Sequence, residues 1–136
     1  MKIAFIGTGT MGGPMLANLV KKGFAVTAFD IVTAALQGAV KAGATAAAST
    51  ADAARGADLV VTMLPSSSHV ESVYLGKGGV LDGVAAGKLC VDMSTIDPAV
   101  SSPDDVFVIV AGGPGKHSAV IPNCAFSRAV SVAIAN

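Results

Sequence analysis

Three glycines near the start of the chain have the spacing of a phosphate-binding turn. Gly7, Gly9 and Gly12 form the pattern G-x-G-x-x-G. In such a turn the first glycine makes the tight bend, the second lets a pyrophosphate approach the backbone, and the third lets a helix lie close to the preceding strand. The phosphates would then meet the free N–H groups and the positive dipole end of that helix. The spacing therefore predicts a dinucleotide-binding turn.

A carboxylate follows at the distance that this chemistry requires. Asp30 stands 18 residues after Gly12 and ends a second apolar run. A carboxylate at the end of the second strand can accept hydrogen bonds from the adenosine ribose, and it would repel the 2′-phosphate of NADP. We therefore expect NAD as the cofactor. The alternative is that Asp30 merely ends a strand in a turn.

The elements needed to position these residues can be read from the sequence pattern. Apolar runs that predict strands alternate with segments of helical periodicity, which favours an α/β fold with a parallel sheet and right-handed crossovers. The run at 58–64 is almost continuously apolar, as expected for a central strand buried on both faces. Strands are predicted at 2–6, 25–30, 44–47, 58–64 and 88–93, and helices at 11–22, 33–41, 51–55 and 69–75, with a short turn-like or helical segment at 80–84.

Composition excludes several classes of protein. The 136 residues suffice for one domain, and 52% are hydrophobic while 13% are charged, which argues against disorder. The net charge is zero and there is no basic run, so we expect no nucleic-acid partner. The apolar runs are too short to span a membrane. Cys90 and Cys124 form no metal or redox motif, so we expect no metal and a reducing, cytoplasmic location.

Three predicted strand ends should open onto one crevice, because ligands of open parallel sheets bind beyond the carboxyl ends of the strands. These ends are the glycine turn, Leu64-Pro65 and Ser94-Thr95. His69, on the helix after Pro65, could face the nicotinamide side of the crevice. Two alternatives remain open: Ser94 and Thr95 could only cap a helix, and His69 could be an ordinary solvated helix residue.

Three motifs in order resemble the β-hydroxyacid dehydrogenase family, which includes 3-hydroxyisobutyrate dehydrogenase and, more distantly, 6-phosphogluconate dehydrogenase. The motifs are GTGTMGGPM at 7–15, MLP at 63–65 and DMSTIDP at 92–98. The resemblance implies a Rossmann-type, doubly wound parallel sheet that binds the dinucleotide. In the family a second, all-helical domain follows and forms the dimer, and we expect this chain to lack it.

The resemblance also implies roles for individual residues. The glycine turn would contact the pyrophosphate, and Asp30 would contact the adenosine ribose. Residues at the ends of later strands would contact other parts of the cofactor, while Ser94 would lie towards the substrate. The residues expected to bind the cofactor are Gly7, Gly9, Thr10, Met11, Gly12, Asp30, Leu64, Pro65, His69 and Thr95.

The likeness ends near residue 100. Beyond Pro98 the family continues with an arginine-bearing helix and a D-A-P-V-S-G-G segment that holds the substrate carboxylate, and neither is matched here. The proton-transferring lysine of the family has no counterpart, since Lys116 has neither the position nor the context. We therefore divide the chain into a dinucleotide-binding domain at 1–100 and an atypical tail at 101–136, in which 106–111 could add one strand.

Two functions fit this sequence. The first is the NAD-binding portion of a 3-hydroxyisobutyrate dehydrogenase-like oxidoreductase, which would transfer a hydride between nicotinamide and a small β-hydroxyacid and would be inactive or weak by itself. The second is a non-catalytic dinucleotide-binding module or a truncated product. No catalytic residue is predicted in either case, and a β-hydroxyacid would be a partner only if a catalytic domain were supplied.

Overall fold

A computed structural model describes residues 1–94 and the backbone of two further strands, Phe107–Ala111 and His117–Ile121. Strands and helices alternate along the first part of the chain, as predicted. In chain order the elements are β1 (Lys2–Ile6), α1 (Gly12–Lys21), β2 (Ala25–Phe29), α2 (Thr33–Lys41), β3 (Thr45–Ala46), α3 (Thr50–Ala54), β4 (Leu59–Thr62), α4 (Ser67–Leu75), α5 (Val80–Gly83), β5 (Leu89–Asp92), β6 (Phe107–Ala111) and β7 (His117–Ile121).

One sheet contains all of these strands, in the order β3-β2-β1-β4-β5-β6-β7. Strands β1 to β5 are parallel to one another. The chain moves outward from β1 through β2 to β3, then returns to the other side of β1 for β4. This reversal is the topological switch point of a doubly wound Rossmann fold, and the predicted fold is confirmed.

The sheet is covered on both faces, because successive side chains of a strand point to opposite sides. On β1, Ile3 and Phe5 pack with Leu16 of α1 against one face. Ala4 and Ile6 pack against the other face, in a cluster that includes Val70 of α4. These four side chains are at most 2% exposed. The burial of both faces is the reason why the strands read as apolar runs rather than as alternating patterns.

Glycines end the first two helices in the left-handed conformation. Gly23 follows α1 with φ of +86° and Gly43 follows α2 with φ of +103°. The first helix, predicted to end at residue 22, ends at Lys21, with Lys22 as its C-cap. At the start of α3, the hydroxyl of Ser49 accepts a hydrogen bond from the Asp52 amide at 3.1 Å, so Ser49 caps this helix.

The edge beyond β5 departs from the parallel arrangement. Strand β6 is antiparallel to β5, and β7 is antiparallel to β6 with a register shift between Ile109 and Val110. Only five residues join β6 to β7, too few for the crossover that a parallel pair needs. The strand expected at 106–111 corresponds to β6. The division into a domain at 1–100 and a tail at 101–136 stays a prediction.

Candidate functional site

A cavity of about 480 Å³ lies beyond the carboxyl ends of β1 and β4, at the switch point of the sheet. Open α/β sheets bind their ligands at this place. The cavity brings together the glycine turn, the end of β2 and the segment that follows β4. It is lined by Ile6, Gly7, Gly9, Thr10, Met11, Gly12, Phe29, Asp30, Ile31, Val32, Met63, Leu64, Pro65, His69, Ser72 and Val73.

The fold requires glycine at two of the three glycine positions of the turn. Gly7 has φ of +88°, and a Cβ there would stand 2.2 Å from the carbonyl oxygen of Met63. A Cβ on Gly12 would stand 1.9 Å from the carbonyl oxygen of Gly7. The roles of Gly7 in the bend and Gly12 in close helix packing are thereby confirmed. A Cβ on Gly9 would meet nothing within 4 Å, so the fold itself does not require glycine there.

Helix α1 begins at the cavity without a cap. Met11 precedes it with no side-chain hydrogen bond to the first turn, and that turn contains no acidic residue. Within residues 1–94 no protein group accepts a hydrogen bond from the amides of Thr10 and Met11. Free amides and an uncompensated dipole at a helix start favour an anion. Together with the open space beside Gly9, this end of the cavity fits a pyrophosphate.

Asp30 connects the glycine turn to the start of α2. Its Oδ2 accepts hydrogen bonds from the Thr8 amide at 2.7 Å and the Thr8 hydroxyl at 3.2 Å. Its Oδ1 accepts one from the Val32 amide at 2.8 Å. Asp30 therefore does more than end a strand: it fixes the shape of the turn while lining the cavity. Each carboxylate oxygen can accept more than one hydrogen bond, so capacity remains for ribose hydroxyls.

An apolar rim borders the same end of the cavity. Met11, Ile31 and Val32 line it, although they are 61%, 80% and 55% exposed. Met11 is mostly exposed because it precedes the first turn of α1. Ile31 and Val32 were missed. Their sequence signal is a pair of β-branched apolar residues that directly follows Asp30 and belongs neither to the second predicted strand nor to the helix predicted after it.

The opposite wall is formed by the segment after β4 and by α4. Leu64, Pro65 and His69 all line the cavity, as the convergence of strand ends predicted. His69 is exposed, and its Nδ1 lies 2.6 Å from the Ser66 hydroxyl. Ser66 is the residue before α4, but its hydroxyl makes this contact instead of a side-chain cap. His69 thus lines the cavity while its ring is hydrogen-bonded to Ser66.

A buried polar network stands behind that wall. Asp92 is 0% exposed, and its Oδ1 accepts hydrogen bonds from the Thr62 and Ser94 hydroxyls. The Thr62 hydroxyl also lies 3.2 Å from the hydroxyl of Tyr74 on α4. Burial raises the pKa of both Asp92 and Tyr74. Sequence reasoning missed this network, whose signal is polar residues at the carboxyl ends of two apolar strands.

Ser94 belongs to this network rather than to the cavity lining. It is 1% exposed, its hydroxyl donates to Asp92 Oδ1 at 2.8 Å, and it accepts a hydrogen bond from the Leu64 amide at 2.7 Å. Its predicted contact with a substrate stays a prediction. Thr95, Lys116 and Cys124 lie outside the described residues.

Residues 1–94 contain neither a metal-binding cluster nor a reactive thiol. Within residues 1–94 no group of three or more His, Cys, Asp or Glu side chains could hold a metal ion. Burial raises the pKa of the Cys90 thiol to about 12, which leaves it unreactive. Over the same residues, no helix has both the length and the hydropathy that crossing a membrane requires.

Comparison with known proteins agrees with this geometry. Residues 2–103 match the family described as the NAD binding domain of 6-phosphogluconate dehydrogenase. A NAD-dependent L-serine dehydrogenase of Pseudomonas aeruginosa is 52% identical over 97 residues, which cover 71% of this chain and 33% of that protein. A 3-hydroxyisobutyrate dehydrogenase of the same organism is 50% identical over 96 residues, covering 71% and 32%.

A solved structure shares the fold. Mycobacterium tuberculosis 3-hydroxyisobutyrate dehydrogenase, solved with L-serine, superposes with a TM-score of 0.70 at 39% identity, over 74% of this chain and 33% of that one. The chain therefore spans about a third of the length of the relatives it matches.

Proposed function

Since the chain belongs to the family of NAD-binding domains of 6-phosphogluconate dehydrogenase, we propose that it is the cofactor-binding part of a 3-hydroxyisobutyrate dehydrogenase-like oxidoreductase. The observation that carries the proposal is the cavity at the switch point. It is lined by every described residue that the sequence predicted to contact the cofactor. The bound nicotinamide would supply the hydride acceptor or donor for a small β-hydroxyacid.

Each part of the cavity suits one part of a dinucleotide. The amides at the start of α1 and the open space beside Gly9 would hold the pyrophosphate. The Asp30 carboxylate would accept hydrogen bonds from the adenosine ribose. The exposed side chains of Ile31 and Val32 would offer an apolar surface to the adenine. Leu64 and Pro65 would lie along the nicotinamide half, with His69 nearby.

The charge of Asp30 supports NAD over NADP. Hydrogen bonds from the Thr8 and Val32 amides hold both carboxylate oxygens in place, so the side chain cannot swing away from an added phosphate without losing them. Two like charges about 5 Å apart cost on the order of 1–3 kcal/mol at the effective dielectric of a partly exposed site. This corresponds to roughly 5- to 150-fold weaker binding of NADP.

A non-catalytic dinucleotide-binding module is the second candidate. No lysine or arginine among residues 1–94 lines the cavity, so this part of the chain offers no cationic proton-transferring group beside the cofactor. A general base for the hydroxyl proton and a site for the substrate carboxylate would have to come from elsewhere. Weak or absent turnover by this chain alone is therefore part of the proposal, as is a β-hydroxyacid partner. The cytoplasmic location stays a prediction.

Titration of the purified chain with NADH and NADPH, followed by nicotinamide fluorescence, tests the proposal. We expect saturable NADH binding that is at least about fivefold tighter than NADPH binding. Absence of NADH binding by a chain with a cooperative thermal melt would refute it. Assays with 3-hydroxyisobutyrate and L-serine separate the two candidates: turnover well above the protein-free rate would exclude the non-catalytic module.

A further inference from the structure

The segment that closes the far wall of the cavity is held by a side chain and not by the sheet. The Met63 amide donates to the Ile6 carbonyl and the Met93 amide to the Thr62 carbonyl, which continue the parallel ladders on both sides of β4. If the second ladder continued, the next amide, that of Leu64, would donate to a main-chain carbonyl of the neighbouring strand. It donates instead to the Ser94 hydroxyl at 2.7 Å.

This hydroxyl is itself held in one orientation. Ser94 is 1% exposed and its only proton goes to Oδ1 of Asp92, a carboxylate that is 0% exposed. The lone pair that accepts from Leu64 is therefore fixed by a buried group. The residue after Leu64 is Pro65, which has no amide, so the Leu64 bond is the last main-chain anchor before the chain turns into α4.

A second arm of the same network reaches α4. The Thr62 hydroxyl joins Asp92 to the hydroxyl of Tyr74, which is 3% exposed. Ser72 and Val73, the two residues before Tyr74 on α4, line the cavity. One buried carboxylate thus connects to both parts of this wall, whereas the glycine turn at the other end is held separately by Asp30.

We propose that Ser94 is a positioning residue: with its hydroxyl held by Asp92, it fixes the Leu64 amide and so sets the shape of the cavity wall that receives the nicotinamide half of the dinucleotide. This inference rests on the proposed function. It assigns Ser94 a role in cofactor geometry rather than a direct substrate contact, because its single proton is already donated to Asp92. The pyrophosphate end of the site does not depend on it.

The test compares two ligands that differ only at the nicotinamide end. NADH occupies both halves of the site, and ADP-ribose lacks the nicotinamide. Ser94→Ala should weaken NADH binding by about 3- to 10-fold, the range for one net hydrogen bond, and leave ADP-ribose binding within twofold. Ser94→Thr retains the hydroxyl and should keep the wild-type NADH affinity.

Ser49→Ala is the matched control. It also removes a serine hydroxyl that accepts a hydrogen bond from a main-chain amide, that of Asp52, but Ser49 does not line the cavity, so the ratio of NADH to ADP-ribose affinity should stay at the wild-type value. Equal shifts in the two variants would mean general loosening of the core and would overturn the proposal. So would an unchanged NADH affinity in Ser94→Ala, or equal weakening of both ligands.

Hydrogen exchange of the wild-type chain tests the same contact without a variant. The Leu64 amide should exchange slowly although it lies beyond the end of β4, and exchange at the rate of an unprotected loop amide would overturn the proposal. A folded wild-type chain that binds neither ligand would refute the proposed function itself. Wild-type binding of NADH combined with an insensitive Ser94→Ala variant would refute only the role of Ser94.

Discussion

Replacing Gly9 with leucine should block dinucleotide binding and leave the fold intact. A Cβ at this position meets no atom within 4 Å, and the φ angle of Gly9 lies outside the left-handed region. The chain can therefore accept a side chain here. That side chain would occupy the space beside the start of α1 through which the pyrophosphate must approach. Gly9 is thus the position at which a ligand requirement can be separated from a folding requirement.

The size of the effect follows from the contacts that the new side chain displaces. Loss of one charge-assisted hydrogen bond between a backbone amide and the pyrophosphate costs about 1.5–3 kcal/mol, which is roughly 10- to 150-fold in affinity. The free energy of unfolding should change by less than about 1 kcal/mol, since only the freedom of the unfolded chain is altered. At Gly12 the opposite result is expected: a side chain should destabilise the fold itself, because a Cβ there lies 1.9 Å from the Gly7 carbonyl oxygen.

Gly38→Leu is the matched control for the assay. Gly38 is exposed on α2, its Cβ would also meet nothing within 4 Å, and it does not line the cavity. NADH titration and thermal melting of both variants and the wild type should show loss of affinity in Gly9→Leu alone, with both variants folded. Equal NADH affinity in the two variants would refute the reasoning, as would a Gly9→Leu variant that fails to fold.

Four further predictions concern charge, pH and stability. Asp30→Ser should lower the ratio of NADH to NADPH affinity by removing the repulsion of a 2′-phosphate; an unchanged ratio in parallel titrations would limit Asp30 to its role in the turn. Burial raises the pKa of Asp92 above the ordinary 3.8. This carboxyl therefore lowers the stability of the folded state as pH rises from about 4 through its raised pKa. Asp92→Asn should remove this decline of Tm with rising pH, as measured in thermal melts. A main-chain hydrogen bond from the start of β1 and an ion pair lower the pKa of Asp58 to about 2, so its stabilising contribution is complete above pH 3.8 and lost as pH falls towards 2. Asp58→Asn should therefore lower Tm above pH 3.8 by a constant amount and change the slope of Tm against pH only below it; a changed slope in the range affected by Asp92→Asn would contradict the assignment. Ser49→Ala should remove the cap of α3 and cost about 1 kcal/mol, or roughly 3–5 °C in Tm, whereas an unchanged Tm would mean that the cap contributes nothing.

The sequence alone determined the parts of the site that lie close together along the chain. The spacing of Gly7, Gly9 and Gly12, with Asp30 after the next strand, is enough to predict the turn, the helix behind it and the carboxylate beside it. Such features are readable because turn geometry, helix period and strand alternation act over a few residues. The carboxyl ends of parallel strands also meet at one edge, so the convergence of Leu64 and Pro65 on the turn could be predicted without coordinates.

Tertiary structure alone decided what holds those residues in place. The bond between Ser94 and the Leu64 amide joins residues 30 positions apart, and it exists because the register of β4 and β5 sets Thr62 opposite Asp92. No local pattern encodes that register when both strands are apolar on both faces. Tertiary structure also decided the exposure of Ile31 and Val32, which depends on the surfaces that the fold leaves uncovered. It likewise decided the antiparallel edge formed by β6 and β7, which depends on which strands pair. The types and spacing of the residues were therefore enough to predict the chemistry of the site, whereas the contacts that hold its side chains in place depended on the fold.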